Sequence, residues 1–249
     1  MPEEKPIVIG VGGLARSGKD TFVKIAKKIL KEHGYSSIKL AFADPLKEEI
    51  DPFLKQHYNI SAWTDDDSEK KIIRRFLVAH GDGKRLNGDG NYWINKINDA
   101  IEGIHFNEDV IFVSDCRFPK EVDWIHQKWN GWIVHVSKYM MVDDVEYKFD
   151  YEAHPELDGV EHPDQYFPED FVEEKIVKKV YDKAPNEEEA HNDPICRQKA
   201  DYRLEMENAI ERELRLTGNK ITVESLVDNV YLNGEIQKCL KQCPLLTLV

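Results

Sequence analysis

The chain has 249 residues, 41% hydrophobic and 33% charged, enough for one well-buried α/β domain with insertions or for two small domains. With 47 acidic against 34 basic residues its net charge is −13, which excludes broad, non-specific nucleic-acid binding, a task that needs basic surface. No apolar run reaches the length of a membrane span and no export signal opens the chain, so a soluble, cytoplasmic protein without membrane partners is expected.

The first predicted element is a strand over residues 6–12, apolar on both faces as a central parallel strand should be. It runs into Gly13-Leu14-Ala15-Arg16-Ser17-Gly18-Lys19-Asp20-Thr21, and a helix follows over 21–33, with Phe22, Ile25, Ala26, Ile29 and Leu30 at three- and four-residue spacing and Gly34 placed to stop it. Strand, glycine loop, helix is the context of a phosphate-binding loop. Its amides (Gly13, then Ala15, Arg16, Ser17, Gly18, Lys19, Asp20 and Thr21) would form an anion nest backed by the helix N-terminus, and Lys19 would reach the outer phosphates of a nucleotide. The spacing Gly13-x-x-x-x-Gly18-Lys19 fits the usual pattern, but Asp20 stands where a hydroxyl is usual and Thr21 supplies it one residue later.

A second strand is predicted over 37–42. Asp44 then reads as a helix cap with Pro45 at the first helical position. Residues 64–75 read as a loop and N-cap leading into a helix that carries Arg74, Arg75 and, after Gly81, Arg85. The apolar run of 109–115 is a strand ending in Asp115, at the carboxyl edge where open α/β sheets bind ligands; an acidic residue there can hold Mg²⁺ or orient a phosphate. A helix around 121–128 and a strand over 131–136 complete the pattern of a three-layer α/β/α fold with a parallel sheet. Residues 138–188 read as an acidic, partly helical insertion near a lid, with a helix over 169–182. A helical pattern over 221–242, carrying Leu226, Val230, Ile236 and Leu240, is expected to pack on the sheet. The acidic run Glu187–Glu189 reads as a solvated face. None of the four cysteines forms a C-x-x-C pair, so reduced thiols are expected and a zinc site is not.

The loop variant Gly-x-x-x-Ser-Gly-Lys-Asp-Thr resembles that of the bacteriophage-type deoxynucleoside monophosphate kinases, within the P-loop nucleotide kinases. Phe42-Ala43-Asp44-Pro45-Leu46-Lys47, the segment in which Arg75 and Arg85 flank Gly81, the Tyr92-Trp93 pair and Asp115-Cys116-Arg117-Phe118-Pro119-Lys120-Glu121 are similar to stretches of that family in the same order. The resemblance implies ATP and Mg²⁺ as cofactors and transfer of the γ-phosphoryl group to a (deoxy)nucleoside monophosphate. Catalytic roles fall on Lys19, Asp115 and Arg117. Mg²⁺ would be held through Asp20, Thr21 or Asp115, and the acceptor by Asp44, Arg75, Arg85 and Arg117, arginine suiting a two-bond grip on phosphate. Glu121 is expected to position Arg117 or its loop. Family members are often dimeric, which allows a homodimer.

Two segments compete for the lid motif, 153–159 and 189–197. No arginine lies between Arg117 and Arg197, so Lys138, Lys148, Arg197 or Arg203 must serve as the lid cation. Other small-molecule P-loop kinases, and a nucleotide-binding protein that no longer transfers phosphate, are the competing readings.

Overall fold

The computed structural model describes residues 5–104, 108–149, 171–218, 222 and 224–247. The side chains of 144–149, 171–175 and 224 also fall outside this description. The lid candidate at 153–159 lies outside the described residues.

Among the described residues, six strands form one sheet: β1 (Ile7–Gly12), β2 (Ser37–Ala41), β3 (Val110–Cys116), β4 (Trp132–Phe149), β5 (Phe171–Tyr181) and β6 (Tyr202–Glu207). The parallel part runs β2-β3-β1-β4-β6, with β1 between β3 and β4. This order sets β1 at the centre, where Val8, Ile9 and Val11 are wholly buried, which accounts for its near-continuous apolar run. β4 is long enough to serve two partners: Val134 to Tyr139 pair parallel with β6, and Tyr139 to Phe149 pair antiparallel with β5.

Helices cover both faces. On one, α1 (Lys19–Glu32) and α8 (Val230–Lys241) share a core with Ile9, Val11, Phe112, Val134 and Leu204. On the other, α4 (Tyr92–Ile104) and α5 (Pro119–Trp129) pack Trp93, Ile97, Ile101, Val122 and Ile125 on Val8, Ile111, Val113 and Ile133. The three-layer α/β/α architecture is thus established. Two further helices, α2 (Ala43–Tyr58) and α3 (Asp67–Leu86), join through their own small core of Ile50, Leu54, Ala62 and Ile73, and stand over the carboxyl ends of β2 and β3. α6 (Glu187–Lys199) and α7 (Ala209–Thr217) flank β6.

Two sequence expectations are corrected. The helix expected over 169–182 is not formed: Phe171–Tyr181 is a strand, β5, and residues 169–170 lie outside the described residues. Val172, Ile176 and Val180 recur every four residues, but their β-branched side chains favour extended chain and the outer half of β4 offers a ladder to complete. Within 138–188, α6 contributes the only described helical residues, Glu187 and Glu188. Asp44 is not the cap of α2: the helix starts at Ala43 with Phe42 in the cap position, which puts Asp44 inside the first turn, where a carboxylate still meets the positive helix end.

Candidate active site

The loop between β1 and α1 owes its shape to three residues with positive φ: Gly13 (126°), Arg16 (66°) and Gly18 (99°). Gly13 is also a close approach. A Cβ there would lie 2.2 Å from the Val136 carbonyl oxygen and 2.9 Å from Ser17 Oγ, so only glycine lets the loop lie against β4. Lys19 opens α1 and is almost fully buried. Its Nζ curls back to donate to the carbonyls of Gly13 (2.8 Å) and Leu14 (2.6 Å). Burial pulls its pKa below the ordinary lysine value, against the opposing charge of Asp115. Ser17 is 2% exposed, and its buried Oγ has no hydrogen-bond partner among the described residues. A desolvated hydroxyl left unpaired inside an amide-lined loop fits an anionic ligand that supplies the missing acceptor.

β3 delivers Asp115 beside this loop through a bulge. Val11 pairs with Ser114 and Gly12 with Cys116, leaving Asp115 as the extra residue with φ 62°. A bulge of this kind re-aims one side chain, here into the cavity under α2 and α3. Arg117 follows, its guanidinium held between two carboxylates: Nη1 donates to Glu189 Oε1 at 2.7 Å, and Nη2 lies 3.7 Å from Asp115 Oδ1. Glu121 Oε2 accepts from the backbone N–H of Arg117 (2.8 Å) and Phe118 (3.1 Å), fixing the turn that carries Arg117.

Glu121 is buried, and desolvation raises its pKa to about 7 despite those two donors and the nearby Arg85. The sign follows: a carboxyl whose pKa is about 4.5 unfolded and about 7 folded resists ionisation only in the folded state. Stability therefore falls as pH rises between those values, by about 3 kcal/mol at 1.36 kcal/mol per unit. Glu121→Gln removes this titration and keeps an acceptor. Urea denaturation at pH 4.5 and pH 7.5 should show the variant gaining on the wild type with rising pH; a constant difference contradicts it.

The cavity between α2, α3 and the start of α5, which Asp115 and Arg117 also line, has a volume of about 450 Å³. Phe42, Leu46, Ile73, Leu77, Trp93 and Phe118 supply its apolar wall; Lys47, Lys70, Arg74, Arg85 and Arg117 supply positive charge. Arg85 stacks 3.9 Å over the Phe118 ring and bonds Asp82 at 3.0 Å. Trp93 donates Nε1–H to the Gly81 carbonyl and packs edge-on to Tyr92, so the Tyr92-Trp93 pair is first a core element, with Trp93 presenting part of itself to the cavity.

Arg75 is exposed and does not line the cavity; Arg74, also exposed, does line it and lies 3.9 Å from Glu189. One residue on a helix is a rotation of about 100°, and this places Arg74 at the cavity rim. Asp44 lies close enough to Asp115 and Lys39 to feel both charges; burial first, and then the charge of Asp115, raises its pKa. Asp20 is exposed and pairs with Lys39 at 2.5 Å. Burial works to raise its pKa, but the Lys39 contact outweighs that and leaves it below the ordinary value. Thr21 is half-buried at the start of α1. Of the expected lid cations, Lys138 meets the loop, donating to the Arg16 carbonyl at 2.9 Å. Arg197 pairs with Glu205, and Arg203 donates to the Arg197 carbonyl. The Lys148 side chain is outside the described residues.

Two participants were not expected from the sequence, Lys39 and Glu189. Glu189 is 5% exposed; besides Arg117, it accepts the Ala15 N–H at 2.9 Å through Oε2. A local signal was present: Asn186 three residues before Glu189 is a capping-box spacing, and Asn186 does accept the Glu189 N–H at 2.8 Å.

The parallel order, the loop and the acidic bulge at the sheet edge together define a P-loop kinase-like fold. The family model for phosphomevalonate kinase matches residues 11–131, slightly less than half of the chain, from the loop to the start of β4. No curated protein matches this chain. Solved structures similar to this chain include two at 14% identity. A gluconokinase from Sinorhizobium meliloti 1021 has a TM-score of 0.35 over 96% of this chain and 95% of its own. The protein designated APE1195 has a TM-score of 0.29 over 94% and 96%. No helix among the described residues is long and apolar enough to cross a membrane.

Proposed function

We propose that the chain transfers the γ-phosphoryl group of ATP to the phosphate of a small phosphomonoester, with a (deoxy)nucleoside monophosphate as the leading acceptor. The observation that carries this reading is the meeting of two half-sites. A glycine loop whose buried Ser17 hydroxyl has no partner among the described residues lies beside Arg117, and Arg117 with Asp115 also lines a cavity that has an apolar wall and carries Lys47, Lys70, Arg74 and Arg85 as well as Asp82 and Glu188. Such a site catalyses by positioning and charge neutralisation. Lys19 and the loop amides would hold the donor phosphates, Arg117 would bridge donor and acceptor, and Arg74 and Arg85 would grip the acceptor phosphate.

Mg²⁺ fits the donor set. It needs one or two carboxylates, its other ligands being phosphate oxygens and water. Among the described residues no cage of three metal-ligating side chains exists, but Mg²⁺ at a nucleotide site needs no such cage. Asp115 and Thr21, with Asp20 once it leaves Lys39, are the residues to hold the ion, which supplies charge neutralisation on the transferring group.

The match to the phosphomevalonate kinase family favours a second reading, in which the acceptor is phosphomevalonate. Both acceptors are phosphate monoesters, which the same cations would serve. Incubation with Mg²⁺-ATP and a panel of ribo- and deoxynucleoside monophosphates, together with phosphomevalonate, tests the choice by ADP release. Release with particular nucleotides supports the first reading and release with phosphomevalonate alone the second. Nucleotide binding without release for any acceptor overturns both and leaves a non-catalytic binder.

A further inference from the structure

We propose that Glu189 is a built-in competitor for phosphate, and that α6 is the latch that carries it into the mouth of the loop. The inference rests on reading residues 13–21 as a phosphate site. The Glu189 carboxylate takes the Ala15 N–H at 2.9 Å and the Arg117 guanidinium at 2.7 Å, and has Arg74 at 3.9 Å. These are groups that an incoming phosphate would use. A phosphate and a buried carboxylate cannot share them, because like charges repel strongly where water is excluded. Either the carboxylate leaves or the anion binds weakly.

The way α6 is attached lets it leave. Of its residues, only Glu189 and Cys196 are buried, whereas α1 buries a full apolar stripe. Its other ties are polar: Asp193 Oδ1 to His135 Nε2 at 3.0 Å, Lys199 to Asp123 at 2.5 Å, and Arg197 to Glu205. Pro194 interrupts its hydrogen bonding, and the irregular stretch 182–186 precedes it. An element held by few apolar contacts detaches at low cost. With no anion in the loop, Glu189 neutralises Arg117 and closes the mouth; a phosphate takes over the same donors and expels the helix.

The test is calorimetric titration of the full chain with pyrophosphate. Glu189→Gln keeps the size and an acceptor for Ala15 but loses the charge. The variant should bind about tenfold more tightly than the wild type, as expected when a charged competitor is removed. Equal or weaker affinity overturns the latch alone. Absence of binding to either protein overturns the phosphate-loop reading and the latch with it. Hydrogen exchange on the wild type supplies an independent measurement should the variant not fold. Saturating pyrophosphate should speed exchange in 187–199, and slower exchange there overturns the proposal.

Discussion

Lys19→Ala is expected to abolish acceptor-dependent turnover, with a fall of at least about 10²–10³-fold, the scale for removing one preorganised charge from a transition state. The physical reason lies in where the ammonium sits. It is almost fully buried among loop carbonyls, with burial lowering its pKa and Asp115 opposing that shift. A cation kept desolvated beside a phosphate site acts at close to full strength on charge that develops there. The positive φ of Gly13, Arg16 and Gly18 shapes the loop through its backbone, and these residues are unchanged in the variant. The variant should therefore keep its circular dichroism spectrum while losing both ATP affinity and rate. Wild-type turnover in a folded Lys19→Ala protein would remove the loop from the chemistry.

The second large effect is expected at Arg117. Its guanidinium spans two carboxylates from different parts of the chain, Asp115 at the sheet edge and Glu189 on α6. In a phosphoryl-transfer site, an arginine so placed is worth about 10³-fold or more in rate, and Arg117→Ala should lose that much in kcat/KM. Arg117→Lys should rescue little, because a point charge cannot bridge two partners as a planar fork does. Stability should fall as well, by about 2 kcal/mol, since Glu189 is left buried with one fewer charged donor. Urea denaturation reads this loss separately from the rate, and a variant with unchanged kcat/KM would contradict the role assigned here.

How legible this site was depends on how local its causes are. β1, the loop and α1 could be read directly, because a central strand is apolar throughout and the glycines and Lys19 sit at fixed spacing within a dozen residues. β3 and the placement of Asp115 at its end were legible for the same reason. The bulge that aims Asp115 was not, since it arises from the register against β1. The Arg74–Arg75 pair shows a finer limit: the sequence places two arginines together on a helix, and the packing of Ile73 into the α2–α3 core decides which one borders the cavity. β5 was misread because its apolar spacing suits a helix, while its partner lies thirty or so residues earlier on β4. Glu189 was read as a solvated acid because 174 residues separate it from the Ala15 amide it meets. Contacts of that range leave no periodic trace.

The central claim is that a phosphoryl group passes from ATP to the phosphate of a bound acceptor. Isotopic label tests it most directly: ATP carrying ³²P in the γ position is incubated with Mg²⁺, the wild-type protein and the best acceptor of the panel, and the products are separated. Label in the terminal phosphate of an acceptor diphosphate, absent when Lys19→Ala replaces the wild type, is the predicted result. Label recovered only as inorganic phosphate, or remaining in ATP while the acceptor is bound, would contradict the account.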